Sequence, residues 1–196
     1  MEFSFSEHII LENTVARLRP LEKEDFKELS GIAYDYDIWR YNVSRCMNDV
    51  ELINYIYTML KQKEKNVLYP FVIKDKKLNR IAGSSSFINI SNKDKRLEIG
   101  SSWLGKSFQG KGLNRNAKFL MIKYAFENLD FERVEFKTDV LNEQARKALA
   151  KIGAMEEGVL RSHTLMQDGR RRDTIYYSII RSEWEKIKNS VFDDLV

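Results

Sequence analysis

The stretch WLGKSFQGKGLNRNAKFL, Trp103 to Leu120, sets an apolar strand end, a loop with three glycines and two lysines, and the start of a helix-periodic run side by side. Leu113, Ala117, Leu120, Met121 and Tyr124 recur at the spacing of one helix face. A strand that feeds a helix through glycines leaves the first N–H groups of the helix without partners. With the positive end of the helix dipole, those groups suit phosphate oxygens. Gly110 and Gly112 let the backbone approach such a ligand closely, and Lys106 and Lys111 add positive charge. Two familiar phosphate loops do not fit. Gly105, Gly110 and Lys111 have the spacing of a nucleoside-triphosphate loop, but Gly112 stands where the magnesium-binding Ser or Thr belongs. Gly110 and Gly112 begin a dinucleotide fingerprint that Arg115 breaks. Taken alone, the loop also fits a plain flexible turn.

Working outward, TVARLRP (14–20) reads as a strand stopped by Pro20. The run from Leu21 reads as a helix with Phe26, Leu29, Ile32 and Ala33 on one face. Asn48, with Glu51 three residues on, has the spacing of a capping box and opens a second helix with the stripe Ile53, Ile56 and Leu60. LYPFVIKD (68–75), IAGSSSFINI (81–90) and RLEIGSSWL (96–104) read as strands of an antiparallel meander, separated by the turns KKLN and SNKDK. After the quoted loop come a strand, RVEFKTDV (133–140), and a short helix from Asn142 with Ala145, Ala148, Leu149 and Ile152 on one stripe. Gly153 stands at its C′ position. Strands near Gly158–Leu165 and Asp173–Ile180 flank the turn QDGR, and Ser182 with Glu185 opens a terminal helix. The order β-α-α-β-β-β-α-β-α-β-β-α predicts an α/β fold: one domain over 1–196, with a mixed, mostly antiparallel sheet, helices on both faces and a core from about 14 to 184.

Composition narrows the function classes. Of 196 residues, 43% are apolar and 32% charged, the balance of a soluble globular domain, and two prolines make no linker. The net charge is +4, with lysines interspersed among glutamates, so nucleic-acid binding is not expected outside DGRRRD (168–173). The N-terminus carries Glu2 and Glu7 where a signal peptide needs basic residues, and no run approaches the roughly 20 apolar residues of a membrane span. Cys46 is the single cysteine and His8 and His163 lie far apart, so a cytoplasmic protein without a disulfide or a metal is expected.

The wider pattern goes further. SFQGKGLNRNA resembles the acetyl-CoA pyrophosphate loop, [RQ]-x-x-G-x-[GA], of the GNAT superfamily of N-acetyltransferases: Gln109 matches its first position and Gly112 its fourth, while Asn114 departs from the small last residue. VARLRPLEKEDFKEL, LEIGSSWL, NEQARKALAKIGA and EGVLRSHTLMQDGRRRDTIYYSIIRSEW are similar, in order, to the opening strand and helix, fourth strand, asparagine helix and closing hairpin of the RimJ/RimL-like branch, which includes ribosomal-protein N-terminal acetyltransferases. The resemblance covers about Thr14 to Trp184. It implies central strands splayed like a V, with the pantetheine arm of acetyl-CoA between them on the backbone near Trp103 and Leu104. The pyrophosphate would lie on Gln109, Gly110, Lys111, Gly112, Leu113 and Asn114. Asn142 would touch CoA, and Lys147, with Arg146, its adenosine phosphates; plain N-capping and a solvated helix face are the structural alternatives. A primary amine, from a protein N-terminus or a small molecule, would attack the thioester directly. The branch also implies a possible homodimer.

For chemistry, Glu98 is the expected base. Strand alternation sets it with Gly100 and Ser102, opposite Leu97, Ile99 and Trp103, so it faces either a cleft or water, or pairs with an arginine such as Arg133. The acid is missing: Leu149 and Ala145 stand where the family has Tyr and Ser, and neither donates a proton. Tyr176 or Tyr177 is the candidate substitute, against the ordinary role of a core tyrosine; otherwise the thiolate leaves unaided or takes a proton from water. Trp39 and Tyr41 are expected either in the acceptor pocket or over the core. Two other readings stay open: an acyl-CoA-binding module without turnover, favoured by Leu149 and Ala145, and an RNA- or ribosome-associated protein using the hairpin arginines Arg170, Arg171 and Arg172.

Overall fold

A computed structural model describes residues 2–195. Eight strands form one sheet: β1 (Leu11–Glu12), β2 (Ala16–Pro20), β3 (Leu68–Asp75), β4 (Arg80–Ser91), β5 (Arg96–Leu104), β6 (Arg133–Asp139), β7 (Met155–Leu165) and β8 (Arg171–Ile180), in the spatial order β1-β2-β3-β4-β5-β6-β8-β7. Neighbours pair antiparallel except β5 and β6, which run parallel. The helices are α1 (Phe26–Ala33), α2 (Tyr36–Trp39), α3 (Asp49–Glu64), α4 (Leu113–Lys123), α5 (Glu143–Lys151) and α6 (Arg181–Val191).

The sheet carries a core on each face. On one, α1 and α3 bury Leu29, Leu52, Ile56 and Met59 with Val72, Ile81 and Trp103. On the other, α4 and α6 bury Leu113, Ala117, Met121 and Trp184 with Phe71, Phe87, Leu97, Ile99 and Phe136. Residues buried on both sides explain why β3 reads as a continuous apolar run rather than an alternation. This is the expected mixed sheet with helices on both faces.

Several local expectations are corrected. The packed core extends past Thr14–Trp184 at both ends, since Phe3, Ile9, Leu11, Ile187 and Phe192 are buried. The stripe of α3 is Leu52, Tyr55, Ile56 and Met59, and Ile53 points outward at 51% exposure. Asn48 does cap α3, accepting from Glu51 N–H, but the Glu51 carboxylate returns to Met47 N–H instead of Asn48. Terminal helix α6 begins at Arg181, and Glu183, not Glu185, accepts from the Ile180 N–H ahead of it.

Two features of β5 position the site. Its ladder to β6 comprises Arg96↔Arg133, Leu97↔Val134 and Glu98↔Glu135, and the strands part beyond Glu98. On the other edge, Gly100 pairs with Ser86 and Trp103 with Ser84, so Ser101 and Ser102 together oppose Ser85. This is a β-bulge with Ser101 at φ +50°, which turns the rest of the strand over. The alternation expected from the sequence is therefore broken. Trp103 crosses to the α3 face, away from Leu97 and Ile99, and Ser102 turns toward α4.

Candidate active site at the split in the sheet

The split opens next to Glu98. Its side chain is 1% exposed. Oε2 accepts from Asn89 Nδ2 at 2.8 Å and lies 3.1 Å from Lys137 Nζ. Oε1 has no partner among the described residues. A buried carboxylate oxygen left unpaired costs on the order of 1–3 kcal/mol, so its retention calls for a reason. Glu98 thus faces neither open solvent nor Arg133, whose guanidinium goes to Glu135 at 2.8 Å and Glu157 at 2.7 Å. Lys137 stands directly opposite Tyr176 in the β6–β8 ladder, which sets Tyr176 on the same face two strands from Glu98. Tyr176 is half-buried, with the His163 ring edge-on at 6.0 Å.

The loop beyond β5 turns on two left-handed glycines ahead of α4. Gly110 and Gly112 lie at φ +71° and +81°, in the left-handed region. Among the described residues, no heavy atom beyond Gly110 and its chain neighbours lies within 4 Å of where a Gly110 side chain would begin. Asn116 N–H is bonded to Gly112 O, the first helical link of α4, so the N–H groups of Leu113, Asn114 and Arg115 precede the helical ladder. These backbone groups fit a diphosphate. Gln109 is turned inward, its amide donating to Leu104 O at 2.9 Å, and so braces the loop and occupies that carbonyl. Lys106 is drawn to Asp35 and Asp37 of the α2 turn, at 3.6 and 3.4 Å. Lys111 is exposed.

Other sequence-selected residues fall in different places. The Trp103 ring is core, donating to Tyr55 Oη at 3.3 Å, so only its backbone borders the split. Trp39 is buried against it, ring centroids 5.0 Å apart, with Nε1 donating to Ala33 O. Trp39 also borders a small surface pocket with Arg40, Arg45 and Met166. Tyr41 is half-buried, and its carbonyl accepts from Arg172. Asn142 caps α5, accepting from Ala145 N–H at 3.0 Å. Lys147 is 74% exposed and pairs with Glu143. The hairpin arginines are not a free basic patch: Arg170 pairs with Asp139, Arg171 binds Ser162, and Arg172 is buried on Thr174. Leu149 is part of the core.

Sequence reasoning missed Asn89, Ser102 and Lys118. Lys118, on α4, is 6% exposed; its Nζ lies 2.6 Å from Ser102 Oγ and 5.8 Å from the centre of the Phe136 ring. It thus spans the gap from β5 to β6. Burial, partly offset by the Glu98 charge, pushes its amine down to about 7 from 10.5. A sequence signal existed. Asn116 to Ile122 is buried throughout, and Lys118 is the one cation within that run.

A family model described as Acetyltransferase (GNAT) domain matches residues 16–155. The chain belongs to that family, whose members are N-acetyltransferases using acetyl-CoA as co-substrate. Among individual relatives, it is 38% identical over 105 residues to the "Putative ribosomal N-acetyltransferase YdaF" of Bacillus subtilis, a match covering 54% of this chain and 56% of that protein. Thus the matched segment spans about half the length of that relative. It is 25% identical to the spermidine N(1)-acetyltransferase of Escherichia coli K12, over 86% of this chain and 87% of that one. A crystal structure described as a "putative acetyltransferase", from T. thermophilus, superposes with a TM-score of 0.88 at 30% identity, over 97% of this chain and 99% of the other. The expected fold and family therefore hold. No described helix is long and apolar enough to cross a membrane.

Proposed function

We propose that this acetyltransferase moves the acetyl group of acetyl-CoA onto a primary amine, a protein N-terminus or a small molecule, by direct attack with no acyl-enzyme. The observation that carries the reading is the orphaned Oε1 of buried Glu98 at the point where β5 and β6 part. An entering amine supplies the N–H donor that this oxygen lacks. Glu98 then takes the amine's proton, held in place by Asn89 and Lys137. The amides from Gly110 to Arg115 hold the diphosphate, and the unpaired edge of β5 past Glu98 holds the pantetheine amides. Fixing both reactants supplies much of the rate, since positioning alone is worth several kcal/mol. The putative ribosomal and the spermidine acetyltransferase relatives support an amine-bearing acceptor.

The test is thiol release from acetyl-CoA across a panel of peptides and polyamines, with Glu98→Gln beside the wild type. The variant should lose ~100-fold or more in kcat while keeping its affinity for acetyl-CoA. An unchanged pH–rate profile in Glu98→Gln removes Glu98 from the chemistry.

A further inference from the structure

A proton delivered to the departing sulfur eases acyl transfer to an amine, and neither Leu149 nor Ala145 has one to give. The split in the sheet holds a different source. Lys118 Nζ is 2.6 Å from Ser102 Oγ, and Ser102 Oγ is 2.7 Å from Ser85 Oγ. The bulge at Ser101 is what aims Ser102 at α4, because unbroken alternation sets it on the opposite side. Ser102 is half-exposed while Lys118 is buried, so the chain of groups runs from the interior outward to the open edge of β5.

We propose that Ser102 hands a proton to the leaving thiolate and that Lys118, acting through Ser102, replaces it. This rests on the transferase reading above. The amine nitrogen forms a bond to the thioester carbon, and the C–S bond breaks with its electron pair going to sulfur. The Ser102 hydroxyl proton passes to sulfur, and an ammonium proton of Lys118 passes to Ser102 Oγ. The proton taken from the amine leaves through Glu98, and neutral Lys118 recovers one from solvent after product departs. Lys118 is suited to this because burial lowers its proton affinity to about 7, close to working pH. The charged group facing it is Glu98 of β5, itself paired with Lys137 of β6.

The experiment compares wild type, Ser102→Ala, Lys118→Met and the double variant. Acetyl-CoA is the donor, spermidine and a peptide with a free N-terminus are the acceptors, and calorimetry reports acetyl-CoA affinity. Each single variant should lose ~100-fold in kcat with affinity held within about threefold, and the double variant should lose no more than either single, as members of one chain do. The alkaline fall of kcat in wild type should vanish in Lys118→Met. NMR of the Lys118 side chain should show titration near neutrality, displaced by Ser102→Ala. Losses that multiply in the double variant, full kcat in Lys118→Met, or a Lys118 that titrates near 10 overturn the relay. Wild type that acetylates no amine overturns the transferase reading and the relay with it.

Discussion

Replacing Lys118 by methionine keeps an unbranched stem beside the Phe136 ring and removes the amine. Burial holds the folded-state pKa near 7 against 10.5 for an open lysine. A base with a depressed folded value leaves the unfolded chain as the better proton binder. Its burial therefore costs most at and below pH 7, and the cost fades as pH rises toward 10.5. The difference, 10.5 − 7, is ~3.5 pH units, which at ~1.4 kcal/mol each amounts to ~5 kcal/mol in acid, ~4 kcal/mol at pH 7 and below ~1 kcal/mol at pH 10. Losing the Ser102 hydrogen bond sets ~1 kcal/mol against the variant at every pH. Lys118→Met should accordingly be more stable than wild type by ~3 kcal/mol at pH 7, and the advantage should be gone by pH 10. Urea midpoints at unit pH intervals, with equal m-values, read this directly. Stability curves for the two proteins that stay parallel from pH 7 to 10 refute a desolvated Lys118.

Two further outcomes follow from glycines. Gly112→Glu sets a side chain at φ +81° and a negative charge where the diphosphate would lie, so acetyl-CoA affinity by calorimetry should fall more than 100-fold in a folded protein; unchanged affinity means the loop does something else. Gly83→Ala drives a Cβ to 2.0 Å from Trp103 O across the β4–β5 ladder, and should cost at least ~2 kcal/mol in urea unfolding, whereas an unmoved midpoint contradicts that close approach.

The sequence was most legible where one period held. β3 and β5 were bounded as read, and Asn48, Asn142 and Gly153 mark helix ends as their types suggest. It was least legible at the site. The bulge at Ser101 directly follows Gly100, an interior strand glycine of the kind that marks a bulge, but unbroken alternation was read through it, so Ser102 and Trp103 were set on the wrong faces. Glu98 was singled out as a carboxylate amid apolar strand residues and by the family resemblance, but its partners come from β4 and β6, which no local pattern links. Lys118 was not singled out: it is the one cation among largely apolar neighbours on α4, and only the fold shows its stem passing inward at the split. Of the two places open to Trp39, acceptor pocket or core, its ring packs in the core against Trp103.

Acetyl-CoA soaked into crystals of the protein tests the central claim most directly. Its diphosphate should lie on the amides of Gly110 to Arg115, and its thioester between β5 and β6, beside Glu98 and Ser102. Density for the molecule outside that split, with the loop amides untouched, would contradict the account.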